Sequence, residues 1–272
     1  MKILVTGATG FIGSHVVHEL LKRNIAVIAS DRDFEKAKQR SWYDKVKFVR
    51  CDIADISEEA LTQFKKADKV IHLAWEGLPN YKELFHFEKN LLVQYFFLKK
   101  MVEIGIKDVS VSGTCFEYGM KEGPLSVDMA ADPHNPYALA KDTLRKFLQH
   151  LQVHETFKLK WLRLFYTFGK GQMGSSLLSQ LEMAVANEEK VFNMSGGEQL
   201  RDYLPVEQMA EKIVNFSCDN ALNGIFNCCS GFPVSIKKLV KDYVSKNEYD
   251  IKLNFGYYSY NDYEAMAFWG VL

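Results

Sequence analysis

The chain has 272 residues, 47% of them hydrophobic, and its 34 lysines and arginines balance 34 aspartates and glutamates. That is enough apolar content for one large α/β domain or a core domain with a small lobe, and zero formal charge supplies no global field to recruit nucleic acid or an anionic membrane. No apolar run reaches the length of a membrane span, no signal peptide precedes the first apolar strand, and the five cysteines show neither C-x-x-C spacing nor a metal pattern with the seven histidines; the reading is a soluble, cytoplasmic protein with reduced thiols and no metal.

Lys2–Thr6 reads as a short apolar strand, Gly7-Ala8-Thr9-Gly10-Phe11-Ile12-Gly13 follows it, and Ile12, Val16, Val17, Leu20 and Leu21 recur at helical spacing to Arg23. A second apolar strand, residues 26–29, ends on Ser30-Asp31. Strand, glycine turn, helix, strand and acid come in the order of a dinucleotide-binding βαβ unit. Each glycine has a mechanical purpose in such a unit: Gly7 makes the tight turn, Gly10 lets the backbone approach a pyrophosphate, and Gly13 lets the helix pack on the strand. The helix N-terminus offers its free N–H groups to negative charge. Asp31 can accept the adenosine ribose hydroxyls or stand as a solvated acid in a turn. Asp52, after a third strand, can reach the adenine amino group or serve as a turn or capping acid.

Strand-like runs recur at residues 46–50, 69–73, 108–112 and 160–164, with helical patterns between them. The alternation predicts a parallel, doubly wound sheet. Asp55, three residues before Glu58, reads as a capping box opening a helix to about Lys65. Residues 83–103 are aromatic-rich with a helical period, and a helix with so much apolar surface must bury more than one face. Cys228-Cys229 falls where an apolar strand is expected, which reads as packed thiols.

In Asn135-Pro136-Tyr137-Ala138-Leu139-Ala140-Lys141, Asn135 can cap a helix and Pro136 suits its first position, so Tyr137 and Lys141 stand four apart on one face. An ammonium beside a phenol favours the phenolate and lowers the tyrosine pKa from its usual value of about 10 toward acid–base chemistry at neutral pH. The same spacing is common on ordinary surface helices. Alone it assigns nothing.

Taken together, these motifs resemble the extended short-chain dehydrogenases/reductases, the NAD-dependent epimerase/dehydratase family that acts on nucleotide sugars, over essentially the whole length. The resemblance implies a Rossmann-type doubly wound sheet with a small C-terminal substrate lobe. Residues 1–165 would form the dinucleotide-binding domain, with 198–228 returning to it, and 166–197 and 229–272 would form the lobe. Gly7, Gly10 and Gly13, with Phe11 and Ile12 between them, match the cofactor loop, Asp31 with Arg32 the ribose position, and Asp52-Ile53 the adenine position. His72-Leu73-Ala74 matches the stretch along the dinucleotide, with Leu73 and Ala74 lining it. Thr114, four residues before Tyr118-Gly119, matches the catalytic Ser/Thr, and Tyr137 and Lys141 match the catalytic pair. Tyr137 would be the general acid or base, Thr114 would bond the same sugar oxygen, and Lys141 would hold the nicotinamide ribose. Arg201-Asp202-Tyr203 matches the motif whose arginine meets the nucleotide diphosphate, residues 224–231 match the strand and loop before the last helices, and Tyr166, Gln172, Arg201 and Thr114 are the implied substrate contacts.

Departures from the pattern narrow the reaction. Dehydratases of this family resemble one another in carrying Asp-Glu directly after the catalytic threonine; here Cys115-Phe116 stands there, which argues against dehydration, and Cys115 reads as packing. Tyr166 stands where the family normally has Asn. The aromatic tail, with Tyr257, Tyr258, Tyr260, Tyr263, Phe268 and Trp269, reads as lobe packing or as a wall of the substrate pocket, and similar chains continue past a Phe-Trp-Gly into another helix. The expectation is an NAD(P)-dependent reductase of a nucleotide-linked 4-keto-6-deoxy sugar in surface polysaccharide synthesis, with Tyr137 as proton donor, working as a cytoplasmic homodimer without nucleic-acid or membrane partners. A C4 epimerase with tightly held NAD is the alternative. From another class, the alternative is a non-catalytic dinucleotide-binding regulator or scaffold. Asp31 favours NAD(H) and Arg32 can meet a 2′-phosphate, so NADH is expected to be preferred and NADP(H) tolerated.

Overall fold

The computed structural model describes residues 1–172, 174–260 and 264–272. Tyr263, named above in the aromatic tail, lies outside the described residues. The first half alternates strand and helix: β1 (Lys2–Thr6), α1 (Phe11–Lys22), β2 (Ala26–Asp31), α2 (Phe34–Lys38), β3 (Lys47–Arg50), α3 (Glu58–Phe64), β4 (Lys69–His72), α4 (Leu91–Glu103) and β5 (Asp108–Thr114). The middle follows with β6 (Gly123–Leu125), α5 (Pro136–His154), β7 (Lys158–Leu164), β8 (Tyr166–Phe168), α6 (Leu177–Ala186) and β9 (Val191–Asn193). The last part comprises β10 (Leu200–Pro205), α7 (Val206–Cys218), β11 (Gly224–Cys228), β12 (Pro233–Ser235), α8 (Ile236–Lys246), β13 (Lys252–Asn254) and β14 (Phe268–Gly270).

Seven strands form one parallel sheet in the order β11-β7-β5-β4-β1-β2-β3. The chain winds outward from β1 through β2 to β3, then returns to the other side of β1 with β4, so the crossover direction reverses between β1 and β4. In a doubly wound sheet a ligand crevice opens at that reversal, outside the C-terminal ends of the strands. Each face of the sheet carries its own core. Val16, Val17 and Leu20 of α1 pack with Met209, Ile213 and Val214 of α7 on one side, and Phe64, Phe97, Met101, Leu144 and Leu148 from α3, α4 and α5 fill the other. Strands buried on both faces need continuous apolar runs, which is how β1 and β4 are composed.

A third, smaller core gathers Leu178 and Leu181 of α6 with Phe192, Ile236, Val240 and Ile251 beside short sheets. Those sheets pair β12-β10-β8, β13-β9 and β14-β6, joining segments far apart in sequence. Phe268 of the tail is buried with Cys115, Tyr118 and Phe165, whereas Tyr257 and Tyr258 are exposed.

Two local expectations are corrected. The helix after residue 55 is capped by Ser57, whose hydroxyl accepts from the Ala60 N–H at 3.2 Å, while Asp55 bridges back to Asp52. Either residue type can cap, and the bridge holds Asp55 outside the helix. The long helix expected at 83–103 is a π-helical turn, His86–Asn90, leading into α4. Cys228 ends β11 and Cys229 follows it; both are buried free thiols.

Candidate active site

The crevice at the reversal is a cleft of about 380 Å³ lined by Gly7, Gly10, Asp31, Arg32, Asp52, Ile53, Leu73 and Ala74 among others, so these sequence-singled residues converge there. Gly7 has φ +67°, and a Cβ on it would stand 2.8 Å from the Ala74 backbone nitrogen. A Cβ on Gly13 would meet the Gly7 carbonyl oxygen at 2.0 Å, so only hydrogen there lets α1 rest on the turn. Gly10 caps α1 with no side-chain acceptor, which leaves the first N–H groups of the helix to whatever enters. The glycine cradle and the uncapped helix end fit the pyrophosphate of a dinucleotide. Asp31 receives the Thr9 and Asp33 N–H groups at 3.2 and 3.3 Å, and Asp52 receives the Ala54 N–H at 3.0 Å. Phe11, Ile12 and Gly13 lie in the first turn of α1, outside the lining.

Below the cleft, His72 is buried between Thr6 and Gln94, 2.8 Å from the Thr6 hydroxyl and hydrogen-bonded to the Gln94 amide oxygen. Burial pushes its imidazole down to about 3, so it is a neutral strut.

Thr114, Tyr137 and Lys141 come together at the C-terminal end of β5 and the start of α5. The Asn135 side chain accepts from the Ala138 N–H at 2.9 Å and Pro136 opens the helix, as the sequence anticipates. The Tyr137 ring is walled by Tyr81, Trp75 and His86, with ring centres 5.5, 5.7 and 5.3 Å away, and its N–H donates to the Tyr81 carbonyl at 3.2 Å. Lys141 Nζ donates to the Ser112 carbonyl at 2.7 Å and lies 4.0 Å from the centre of the Trp75 ring. Neither Tyr137 nor Lys141 lines this cleft.

The expected lowering of the Tyr137 pKa is corrected. Burial raises it, and the hydrogen bond with Thr114 opposes that only in part. The Lys141 ammonium is directed at Ser112 and Trp75 and not at the phenol oxygen, and burial lowers it to about 7. Loss of water outweighs the Thr114 hydrogen bond at Tyr137 and the Glu117 charge at Lys141.

Three supporting residues have no local signature. Glu117 is fully buried, and one of its oxygens accepts from the Thr114 N–H at 2.8 Å and the Trp161 indole at 2.9 Å while the other accepts from Arg163 Nε at 2.8 Å. A Cβ on Gly113 would stand 2.5 Å from that carboxylate, so the glycine admits it. Trp75 donates its indole N–H to His86 Nδ1 at 3.0 Å, and His86 Nε2 donates to the Asn80 carbonyl at 3.0 Å. Those partners fix one neutral tautomer and hold the indole against Lys141. Only the pairing of Glu117 with a later Arg in an apolar strand could have hinted at the first.

Tyr166 packs on Tyr203 and Phe268, and rings run from Tyr137 through Tyr81 and Phe116 to Tyr166. Arg201 is buried in an ion pair with Glu264 at 2.9 Å and donates to the Leu200 and Met266 carbonyls. Gln172 turns back to the Thr167 carbonyl at 2.8 Å. Asp202 beside Arg201 accepts from the Ser230 and Gly231 N–H groups at 2.7 and 2.9 Å and so ties β10 to the loop after β11. Cys115 is buried, which raises its thiol, in keeping with packing. Among the described residues no cluster of His, Cys, Asp and Glu is grouped to hold a metal, and no helix is long and apolar enough to cross a membrane.

Residues 3–229 match the model of the NAD dependent epimerase/dehydratase family. A dTDP-6-deoxy-L-talose 4-dehydrogenase (NAD(+)) of Aggregatibacter actinomycetemcomitans is 33% identical, with 99% of each chain covered. A dTDP-4-dehydro-6-deoxyglucose reductase of Escherichia coli is 24% identical over 88% of this chain and 79% of its own. The solved UDP-glucose 4-epimerase of Stenotrophomonas maltophila superposes with a TM-score of 0.86 at 20% identity, covering 99% of this chain and 89% of that one, a likeness of fold. The chain belongs to the NAD-dependent epimerase/dehydratase family and is an NAD-dependent enzyme. The reading as a non-catalytic regulator or scaffold is thereby set aside.

Proposed function

We propose that this member of the family reduces the C4 carbonyl of a nucleotide-linked 4-keto-6-deoxy sugar, a step in making surface polysaccharide precursors, with Tyr137 as the proton donor. The observation that carries the reading is the Thr114–Tyr137–Lys141 cluster on a chain whose likeness to a 6-deoxy-talose 4-dehydrogenase runs end to end. When bound as NADH, the cofactor would supply the hydride to the C4 carbonyl carbon. Tyr137 passes its phenolic proton to the sugar oxygen as the carbonyl is reduced, and the Thr114 hydroxyl bonds the same oxygen. Lys141, anchored on the Ser112 carbonyl, holds the nicotinamide ribose in this reading. Burial keeps the phenol protonated beforehand, the state a donor needs. The ring surfaces of Tyr81, Phe116 and Tyr166 suit the methyl carbon of a deoxy sugar. The packed Cys115-Phe116 pair supplies no acid–base couple for dehydration.

In this reading residues 166–197 and 229–272 form the substrate lobe, where Arg201 meets the nucleotide diphosphate and Tyr166 and Gln172 meet the substrate. The enzyme works in the cytoplasm as a homodimer; its cysteines are unpaired. The test is incubation with a dTDP-linked 4-keto-6-deoxy sugar and NADH, followed at the nicotinamide absorbance. Stoichiometric loss of NADH with formation of the C4 alcohol is expected. Interconversion of sugar epimers without net consumption of cofactor would make the enzyme an epimerase and overturn the proposal.

A further inference from the structure

The adenosine end of the cleft carries a charge arrangement that the proposed chemistry leaves unused. Glu76, on the loop that leaves β4, accepts from Arg32 Nη1 at 3.1 Å with one carboxylate oxygen and from Lys89 Nζ at 3.4 Å with the other. Arg32 follows β2, and β2 and β4 flank β1 in the sheet, so the pair reaches over the glycine turn from one wall of the cleft to the other. The backbone is held on both sides. Asn90 donates to the Glu76 carbonyl at 3.0 Å, and Arg50 Nε donates to the Arg32 carbonyl at 3.3 Å.

An Asp-Arg pair at the end of β2 is ambivalent toward the cofactor. Asp31 repels a 2′-phosphate, yet a free guanidinium beside it can grip that phosphate with two parallel hydrogen bonds. The structure removes the ambivalence from across the cleft. We infer that Glu76 sets selection of NAD over NADP at this site, by holding Arg32 and Lys89 on its own carboxylate and so withholding both cations from a 2′-phosphate. Glu76 also adds a fourth carboxylate to Asp31, Asp33 and Asp52 on the same lining, against Lys36 as the one further cation among the described residues there, so the balance still disfavours the extra phosphate. The inference rests on the cleft being the cofactor site. Arg32 and Glu76 are 60% and 43% exposed, so the selection is graded and weakens with salt.

The test is titration calorimetry of NAD and NADP, each against wild type, Glu76→Gln and Glu76→Ala, at low ionic strength. Replacing Glu76 should improve NADP affinity relative to NAD about tenfold, the worth of one charge-assisted contact. In Glu76→Gln with Arg32→Ala and Lys89→Ala the gain should vanish. An unchanged NADP-to-NAD ratio in both single variants, or a gain that survives loss of both cations, would overturn the inference while leaving the cofactor site intact. If wild type bound neither nucleotide, the cofactor reading of the cleft would fall, and the role of Glu76 with it.

Discussion

Lys141 shows how far burial governs this site. Its folded-state pKa of about 7 lies below the usual 10.5 of a lysine, so between those values the unfolded chain holds a proton that the folded chain has released. Stability therefore rises with pH across that window; below about 7 both states are protonated and the cost of the buried ammonium is fully present, on the order of a few kcal/mol. Denaturant unfolding of wild type and Lys141→Met at a series of pH values should show wild type gaining on the variant from about pH 7 toward 10.5. Parallel curves would mean that the ammonium is not buried. The proposed role of Tyr137 as proton donor is tested beside it. Tyr137→Phe should retain NAD binding and lose turnover by about two orders of magnitude, the usual worth of a positioned general acid. Near-normal turnover in a folded variant would remove Tyr137 from that role.

At the scale of elements, the contact between α1 and the glycine turn is the most exacting. Because a Cβ on Gly13 would strike the Gly7 carbonyl, Gly13→Ala must push the helix off the turn, costing about 1–3 kcal/mol by overpacking and weakening NAD binding through the displaced helix end. Thermal unfolding and calorimetry check both losses together, and an unaltered affinity for NAD would separate the helix end from the cofactor. The second exacting element is the short turn Cys115–Tyr118 after β5, where Glu117 carries Thr114. Glu117→Gln strands the buried Arg163 charge and should cost about 3–5 kcal/mol, whereas adding Arg163→Met should recover part of it. Equal stability of the single and double variants would refute the coupling. These two elements differ in how much of them could be read from the sequence. Glycine spacing, the Ile12–Leu21 periodicity and the Asn135-Pro136 cap are local rules, so β1, α1, β2 and the start of α5 were legible from sequence alone. Glu117 reads locally as one more acid near a turn; its partners Trp161 and Arg163 arrive only when β7 pairs with β5. The Trp75–His86 lock and the π-helical turn have no periodic signature, and the short strands β6 and β14 pair across the distance from Gly123 to Phe268 that no window spans. The sign of the Tyr137 shift was missed for the same reason, since desolvation belongs to the whole packed site and not to a pair of residues at i and i+4.

At the scale of the whole molecule, the face formed by α4 and α5 carries bulky apolar groups exposed to solvent. Helices α4 and α5 lie side by side on the same side of the sheet, joined by Tyr95 on Phe147 with ring centres 5.5 Å apart, yet they present Leu92 and Phe96, and Leu139, Phe147 and Val153, to solvent. Phe96 is 61% exposed. Bulky apolar groups gathered on two adjacent helices are what an isologous interface covers, because a two-fold axis brings the same pair of helices from a second copy against them and makes a four-helix contact. The chain is therefore expected to be a homodimer through α4 and α5, with light scattering at micromolar concentration giving twice the chain mass of 31.2 kDa. Phe96→Glu combined with Phe147→Glu buries like charges at the axis and should yield a folded monomer. Val93 and Gln94 of α4 line the cleft, so the helix expected to meet the partner would also form a wall of the proposed NAD site. Dimerisation should then stiffen that wall, and the double variant should bind NAD more weakly than wild type although neither substituted residue touches the cleft. A wild-type monomer at micromolar concentration would refute the interface, and a monomeric variant with undiminished NAD affinity would separate the interface from the site.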